Sequence, residues 1–138
     1  MPYPEMLVAP MRAELTRLGV QEMKTAEEVE QTLGDAQEPT LLVVNSVCGC
    51  AARNARPAVA MALQSDKRPA RLTTVFAGQD NDATQMARSY LHGYPPSSPA
   101  IALLKDGDVA FMLERHQIEG RTADQIAADL RNAFEQHC

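Results

Sequence analysis

TLLVVNSVCGCAARNARP, Thr40 to Pro57, is the stretch that decides the fold. Its first six residues are mainly apolar or β-branched and end on Asn45, the pattern of a buried strand. Ala51 to Arg56 favours helix and follows at once, so a helix is expected from about Cys50 to Gln64. Pro57 falls inside that helix. It removes one backbone hydrogen bond and is expected to bend the helix rather than end it, because Ala58 to Leu63 is helical in character again. Cys48 and Cys50, one Gly49 apart, stand between strand and helix. A helix N-terminus offers unpaired N–H groups and the positive end of the macrodipole, and both favour a thiolate. The thiolate is the reactive form of cysteine, so redox chemistry is the leading expectation.

Upstream, apolar residues at Leu7, Val8, Met11, Leu15 and Leu18 fall close to a helical stripe over Pro4–Leu18, stopped by Gly19. Thr25 with Glu28 three positions later is a capping box for a second helix, ended by Gly34. Downstream, Leu72–Ala77 reads as a strand and Asp82–Leu91 as a helix capped by Asp80 or Asn81. The rigid run Pro95 to Pro99 delivers the chain into Ala100–Leu104, and Asp106-Gly107 signals a hairpin to Val109–Leu113. Thr122 with Gln125 opens a last helix whose apolar face carries Ile126, Leu130 and Phe134. The order α-α-β-α-β-α-β-β-α combines a parallel crossover with an antiparallel hairpin. Without repeats or long linkers, one α/β domain is expected over residues 1–138.

Composition narrows the function classes. An apolar fraction of 45% and a charged fraction of 22% suit a folded domain of this length. With no tryptophan, aliphatic residues must fill the core, and seven scattered methionines read as gap-fillers rather than copper ligands. A net charge of −5 without a basic block argues against nucleic-acid binding. No apolar run approaches the roughly 20 residues of a membrane span, and the N-terminus lacks a basic region followed by an apolar stretch. A cytoplasmic location is therefore expected. In that compartment three cysteines do not make a structural disulfide framework, which leaves catalysis, metal binding or packing.

Cysteines at a strand-to-helix junction, a helix bent by Pro57, and Ser98-Pro99 before a hairpin strand together resemble the thioredoxin fold. The resemblance implies a central mixed four-stranded sheet flanked by helices, with an N-terminal helical extension, and a cis Pro99 facing the cysteines. The segments NSVCGCAA (Asn45–Ala52), NARP (Asn54–Pro57), FAGQD (Phe76–Asp80), PSSP (Pro96–Pro99), LKDG (Leu104–Gly107) and IEG (Ile118–Gly120) resemble the bacilliredoxin family more closely. Pro10-Met11-Arg12 and the terminal Cys138 fit it too, whereas Arg53 stands where a small residue is expected. The resemblance implies reduction of mixed disulfides between client proteins and bacillithiol, a small thiol that some bacteria use in place of glutathione. Weak disulfide isomerisation is also implied. No bound cofactor is expected; bacillithiol enters as a thiol co-substrate.

On this reading Cys48, at the N-cap, is the nucleophile and Cys50 the resolving thiol, unless a second small thiol clears the adduct. A disulfide closed across one residue is harder to fit to relaxed geometry, which favours exchange over strong reduction. Gly49 would relieve strain by its backbone freedom and leave room for substrate. Ser98 and Pro99 would present backbone groups to the client chain. Two readings of Arg56 stand side by side, attraction of an anionic thiol ligand and a solvated helix position. Asn45 reads either as an orienting residue of the loop or as a strand-ending turn residue. Cys138 is either a free surface thiol or a second thiol for resolution or dimer linkage. A metal needs ligands beyond Cys48 and Cys50, for which Cys138, His92 or His116 would have to fold inwards. The rival function is a non-catalytic module that binds a metal or protein partner through the cysteines.

Overall fold

A computed structural model describes residues 2–138. In chain order the elements are α1 (Glu5–Thr16), β1 (Gln21–Glu22), α2 (Ala26–Leu33), β2 (Thr40–Asn45), α3 (Arg56–Ala62), β3 (Arg71–Phe76), α4 (Asn81–Arg88), β4 (Ala100–Lys105), β5 (Asp108–Leu113), α5 (Arg115–Ile118) and α6 (Ala123–His137). The strands form one sheet in the order β1-β3-β2-β4-β5. β1, β3 and β2 run parallel, while β4 is antiparallel to both β2 and β5. The sheet thus has five strands, not four. β1 is only two residues long, and neither is apolar, so no alternation exists for a periodicity argument to find.

β2 is central, and all six of its residues are buried. Because successive side chains alternate across a sheet, Leu41 and Val43 face one layer with Ile101 and Leu103. There they pack on α3 and α6 through Val59, Ile126, Leu130 and Phe134. Leu42 and Val44 face the other layer, against Val29 and Leu33 of α2 and Ala83 and Ala87 of α4. The Asp106-Gly107 hairpin forms as expected, with both residues at positive φ (54° and 82°) as a primed turn requires. The Thr122–Gln125 capping box is closed in both directions.

Three expectations are corrected. The helix after the cysteines is unbroken but not α throughout: residues Ala51–Ala55 form a π-helical turn, and regular α3 begins at Arg56. Pro57 then lies in the first turn of α3, where a missing N–H costs no hydrogen bond, and the widened turn ahead of it absorbs the mismatch. Leu7 is exposed, and the inward face of α1 is instead Val8, Arg12 and Leu15. Asp80 occupies the N-cap of α4 but makes no side-chain cap.

The last two corrections share a cause. Arg12 is only 7% exposed and meets three carboxylates. Its guanidinium bonds Glu5 at 2.7 Å, Glu22 at 2.9 Å and Asp80 at 2.7 Å, and sits 5.3 Å from the centre of the Phe76 ring. One side chain therefore ties α1 to β1 and to the start of α4.

Candidate active site

The parallel strands β2 and β3 end together at Asn45 and Phe76, and the chain leaves β2 there towards the cysteines. β4 pairs with β2 so that Ala100 stands opposite Val44. Pro99, one residue earlier, is thereby brought to the same end of the sheet, and the Ser98–Pro99 peptide bond is cis. Ser98 and Cys48 share the wall of an open cleft of about 230 Å³, with Tyr3, Ser46, Gly78 and Arg115 among the other lining residues.

The two cysteines are not joined by a disulfide and are unlike each other. Cys48 is half-buried and faces the cleft; Cys50 is buried, with its Sγ 2.7 Å from that of Cys48. Burial pushes the Cys48 thiol up, but hydrogen bonds from the Cys50 thiol, the Ser46 hydroxyl and the backbone N–H groups of Ala51 and Cys50 outweigh it. The net effect holds Cys48 below the usual cysteine range. Burial also pushes Cys50 up, and there the neighbouring Cys48 thiolate adds to it, opposed mainly by the charge of Arg115. One thiol is poised to ionise and the other to keep its proton.

Ser46 connects this pair to the fold. Its Oγ donates to Cys48 Sγ at 3.2 Å and accepts from Cys48 N at 3.4 Å. Its own N–H donates to Asn45 Oδ1 at 2.9 Å. Asn45 Oδ1 also accepts from Arg56 Nη1 at 2.9 Å, while Asn45 Nδ2 donates to the Met11 carbonyl at 3.3 Å. Asn45 thus orients the loop and links it to α1. Arg56 donates to the Ser46 carbonyl at 2.9 Å and pairs through Nε with Glu14 at 3.1 Å. It is 2% exposed, so neither an attractive nor a solvated role fits it: the guanidinium is committed inside the fold.

The cation that does reach the cleft is Arg115, at the start of α5. Its backbone N–H donates to Ser97 Oγ at 2.7 Å, Nη1 to the Ser98 carbonyl at 3.2 Å, and Nε to Glu119 at 2.8 Å. No spacing in the sequence marked it, because it reaches the thiols only through the return of β5. Tyr3 was missed because it comes to the cleft from the segment ahead of α1, far from the cysteines in the chain. Its N–H donates to Gln79 Oε1 at 2.7 Å, its carbonyl accepts from Gln79 Nε2 at 3.0 Å, and its ring lies against Gly78.

Gly49 is exposed and holds a negative φ, so its backbone conformation does not require glycine. Its open side is occupied by the exposed Arg53 guanidinium, whose Nη2 would lie 2.8 Å from a Cβ placed there. Cys138 is exposed and lies near Lys67 and Lys105. Lys105 ends β4 at the end of the sheet opposite the cysteines, so the fold does not bring Cys138 to Cys48 or Cys50. Among the described residues, no group of three or more His, Cys, Asp or Glu is placed to hold a metal ion. No helix among them is long and apolar enough to cross a membrane.

Comparison with known proteins agrees with this geometry. The thioredoxin of Malassezia sympodialis superposes with a TM-score of 0.55 at 16% identity, over 86% of this chain and 90% of its own, which shows the thioredoxin fold. A family profile described as disulphide isomerase matches residues 3–138. A bacilliredoxin of Salinibacter ruber is 57% identical over 100% of this chain and 82% of its own length. Those of Koribacter versatilis (51%) and Bacillus licheniformis (52%) each match 99% of this chain and 94% and 95% of theirs. Fold and relatives alike are those of thiol–disulfide redox proteins. Sharing half or more of its residues from end to end with proteins of that name, the chain belongs to the bacilliredoxin family.

Proposed function

We propose that the protein reduces mixed disulfides between client proteins and bacillithiol by exchange at Cys48. The observation that carries this reading is the inequality of the two thiols. Cys48 faces the cleft and is held towards its thiolate, while Cys50 lies buried behind it and is held towards its thiol. Nucleophilicity follows the thiolate fraction and access, so Cys48 attacks first.

The Cys48 thiolate attacks the bacillithiol sulfur. The bond from that sulfur to the client breaks, the client leaves as a thiolate and takes a proton from solvent, and Cys48 carries bacillithiol in a new disulfide. Cys50 then loses its proton and attacks Cys48, releasing bacillithiol and closing a Cys48–Cys50 disulfide; alternatively a second bacillithiol clears the adduct. Ser98 and the cis Pro99 lie where a client backbone would pass. The family description favours disulfide isomerisation as a second activity of the same thiols.

The test is intact-mass analysis after incubation with a bacillithiol-modified reporter protein. Cys50→Ser is expected to accumulate one bacillithiol adduct, and Cys48→Ser none. An adduct on Cys48→Ser, or no transfer to either variant or to the wild type, refutes the assignment. The client proteins would be met in the cytoplasm.

A further inference from the structure

We propose that the cleft beside Cys48 seats the small-thiol half of the mixed disulfide, and that Arg115 selects small thiols bearing a carboxylate. The inference rests on exchange at Cys48. When the client leaves, the small thiol is bonded to Cys48 Sγ, so the rest of that molecule must occupy space next to this sulfur. The cleft of about 230 Å³ is that space. It is too small for a run of several residues of a client chain, but it suits part of a small molecule.

The chemistry of its walls is specific. The Tyr3 ring and Gly78 give one flat, partly apolar side, fixed by the two hydrogen bonds between the Tyr3 backbone and the Gln79 side chain. Arg115 brings positive charge to the cleft. Its Nε is held by Glu119 and its Nη1 by the Ser98 carbonyl, which leaves Nη2 without a protein partner among the described residues. A guanidinium held on two sides and open on the third is suited to take a carboxylate oxygen at little further ordering cost. The other two arginines near the thiols do not compete for this role. Arg56 is buried among Asn45, Ser46 and Glu14, and Arg53 lies over Gly49 on the exposed side of the loop.

The test compares two small disulfides of matched size, those of N-acetylcysteine (a carboxylate) and N-acetylcysteine amide (neutral). Adduct formation on Cys50→Ser protein is followed by intact mass. The carboxylate disulfide is expected to react about threefold to fivefold faster than the amide, the range for a partly exposed ion pair. Adding Arg115→Gln is expected to bring that ratio to about one, and Arg115→Lys to keep part of it. Each rate is divided by that of the same disulfide with a simple free thiol, which removes the difference in leaving-group pKa, so the normalised ratio isolates recognition. A ratio of one before Arg115 is changed, or a ratio untouched by Arg115→Gln, overturns the proposal.

A further pair of substrates carries N-acetylcysteine amide on a peptide cysteine flanked by Glu or by Gln. An Arg115-dependent preference confined to that pair assigns the arginine to client acidic groups, and also overturns the proposal. Failure of Cys48 to react with either small disulfide is a different result, which removes the exchange reading itself.

Discussion

The hydroxyl of Ser46 stands 3.2 Å from the sulfur of Cys48, and the same oxygen accepts the Cys48 N–H at 3.4 Å. A serine two residues ahead of the thiol thus contacts both ends of the cysteine and supports its charged form. Ser46→Ala removes a donor to the thiolate, so the Cys48 thiol should move up towards the ordinary range. Alkylation of Cys48 by iodoacetamide at pH 7 is expected to slow by about fivefold, the size of one modest hydrogen bond. The deficit should vanish at alkaline pH, where both proteins are fully ionised. A deficit that persists there would point to altered access instead.

Cys50 plays the same part from the buried side. In the wild type, the alkylation rate of Cys48 should rise with pH and level off with a midpoint below that of an unperturbed cysteine. Cys50→Ala deletes the sulfur donor and should move that midpoint upward. In the wild type Cys50 should be labelled only at higher pH than Cys48, since burial and the adjacent thiolate both oppose its ionisation. Mass-resolved labelling across a pH series reads both midpoints.

Arg12 is a stability prediction. Arg12→Met leaves Glu22 and Asp80, 17% and 15% exposed, facing each other without their cation. A fully buried broken pair costs about 3–5 kcal/mol; partial exposure brings the expectation to about 2–3 kcal/mol, measured by urea denaturation. Glu5 gives it a pH signature. Its hydrogen bond to Arg12 holds its carboxyl below the ordinary value of 4.5 in the folded state. The stabilisation is therefore complete above about pH 4.5 and is lost as pH falls through the lower folded value. Arg12→Met should lack that component of the acid transition.

Two glycines should respond differently to alanine. At Gly49 the nearest atoms belong to the end of the long, exposed Arg53 side chain, and φ is already negative, so Gly49→Ala should alter stability by less than about 1 kcal/mol. At Gly107 nothing crowds an added Cβ, but φ is +82°, and Gly107→Ala should cost about 1–2 kcal/mol. Thermal denaturation of the two variants side by side decides it.

The local signals in the sequence were legible where they acted over a few residues. The strand Thr40–Asn45, the Asp106-Gly107 turn and the Thr122 capping box depend on neighbours, and all appear in the structure. The thiol pair fell at the strand end for the same reason. What escaped depends on distant partners. Arg12 reaches Asp80 across 68 positions, and Arg115 reaches the thiols through the return of a hairpin. Periodicity counts apolar residues, so it passed over a basic residue on an inward face. A clue did exist: Val8, Arg12 and Leu15 share one helical stripe, and a charge on such a stripe demands acidic partners. Arg56 was misread because an arginine committed inside the fold and one pointing to water look alike in a chain.

Tyr3 belongs to the segment ahead of α1, whereas the thiols belong to the strand and helix start at the centre of the sheet. The reacting atoms and one wall of the chamber beside them are therefore encoded far apart. Changes of length or sequence before Glu5 can reshape what fits against Cys48 while the central strand and its hydrogen-bonded loop stay as they are. A lineage could diversify its choice of small molecule by editing a handful of codons for the residues just ahead of α1.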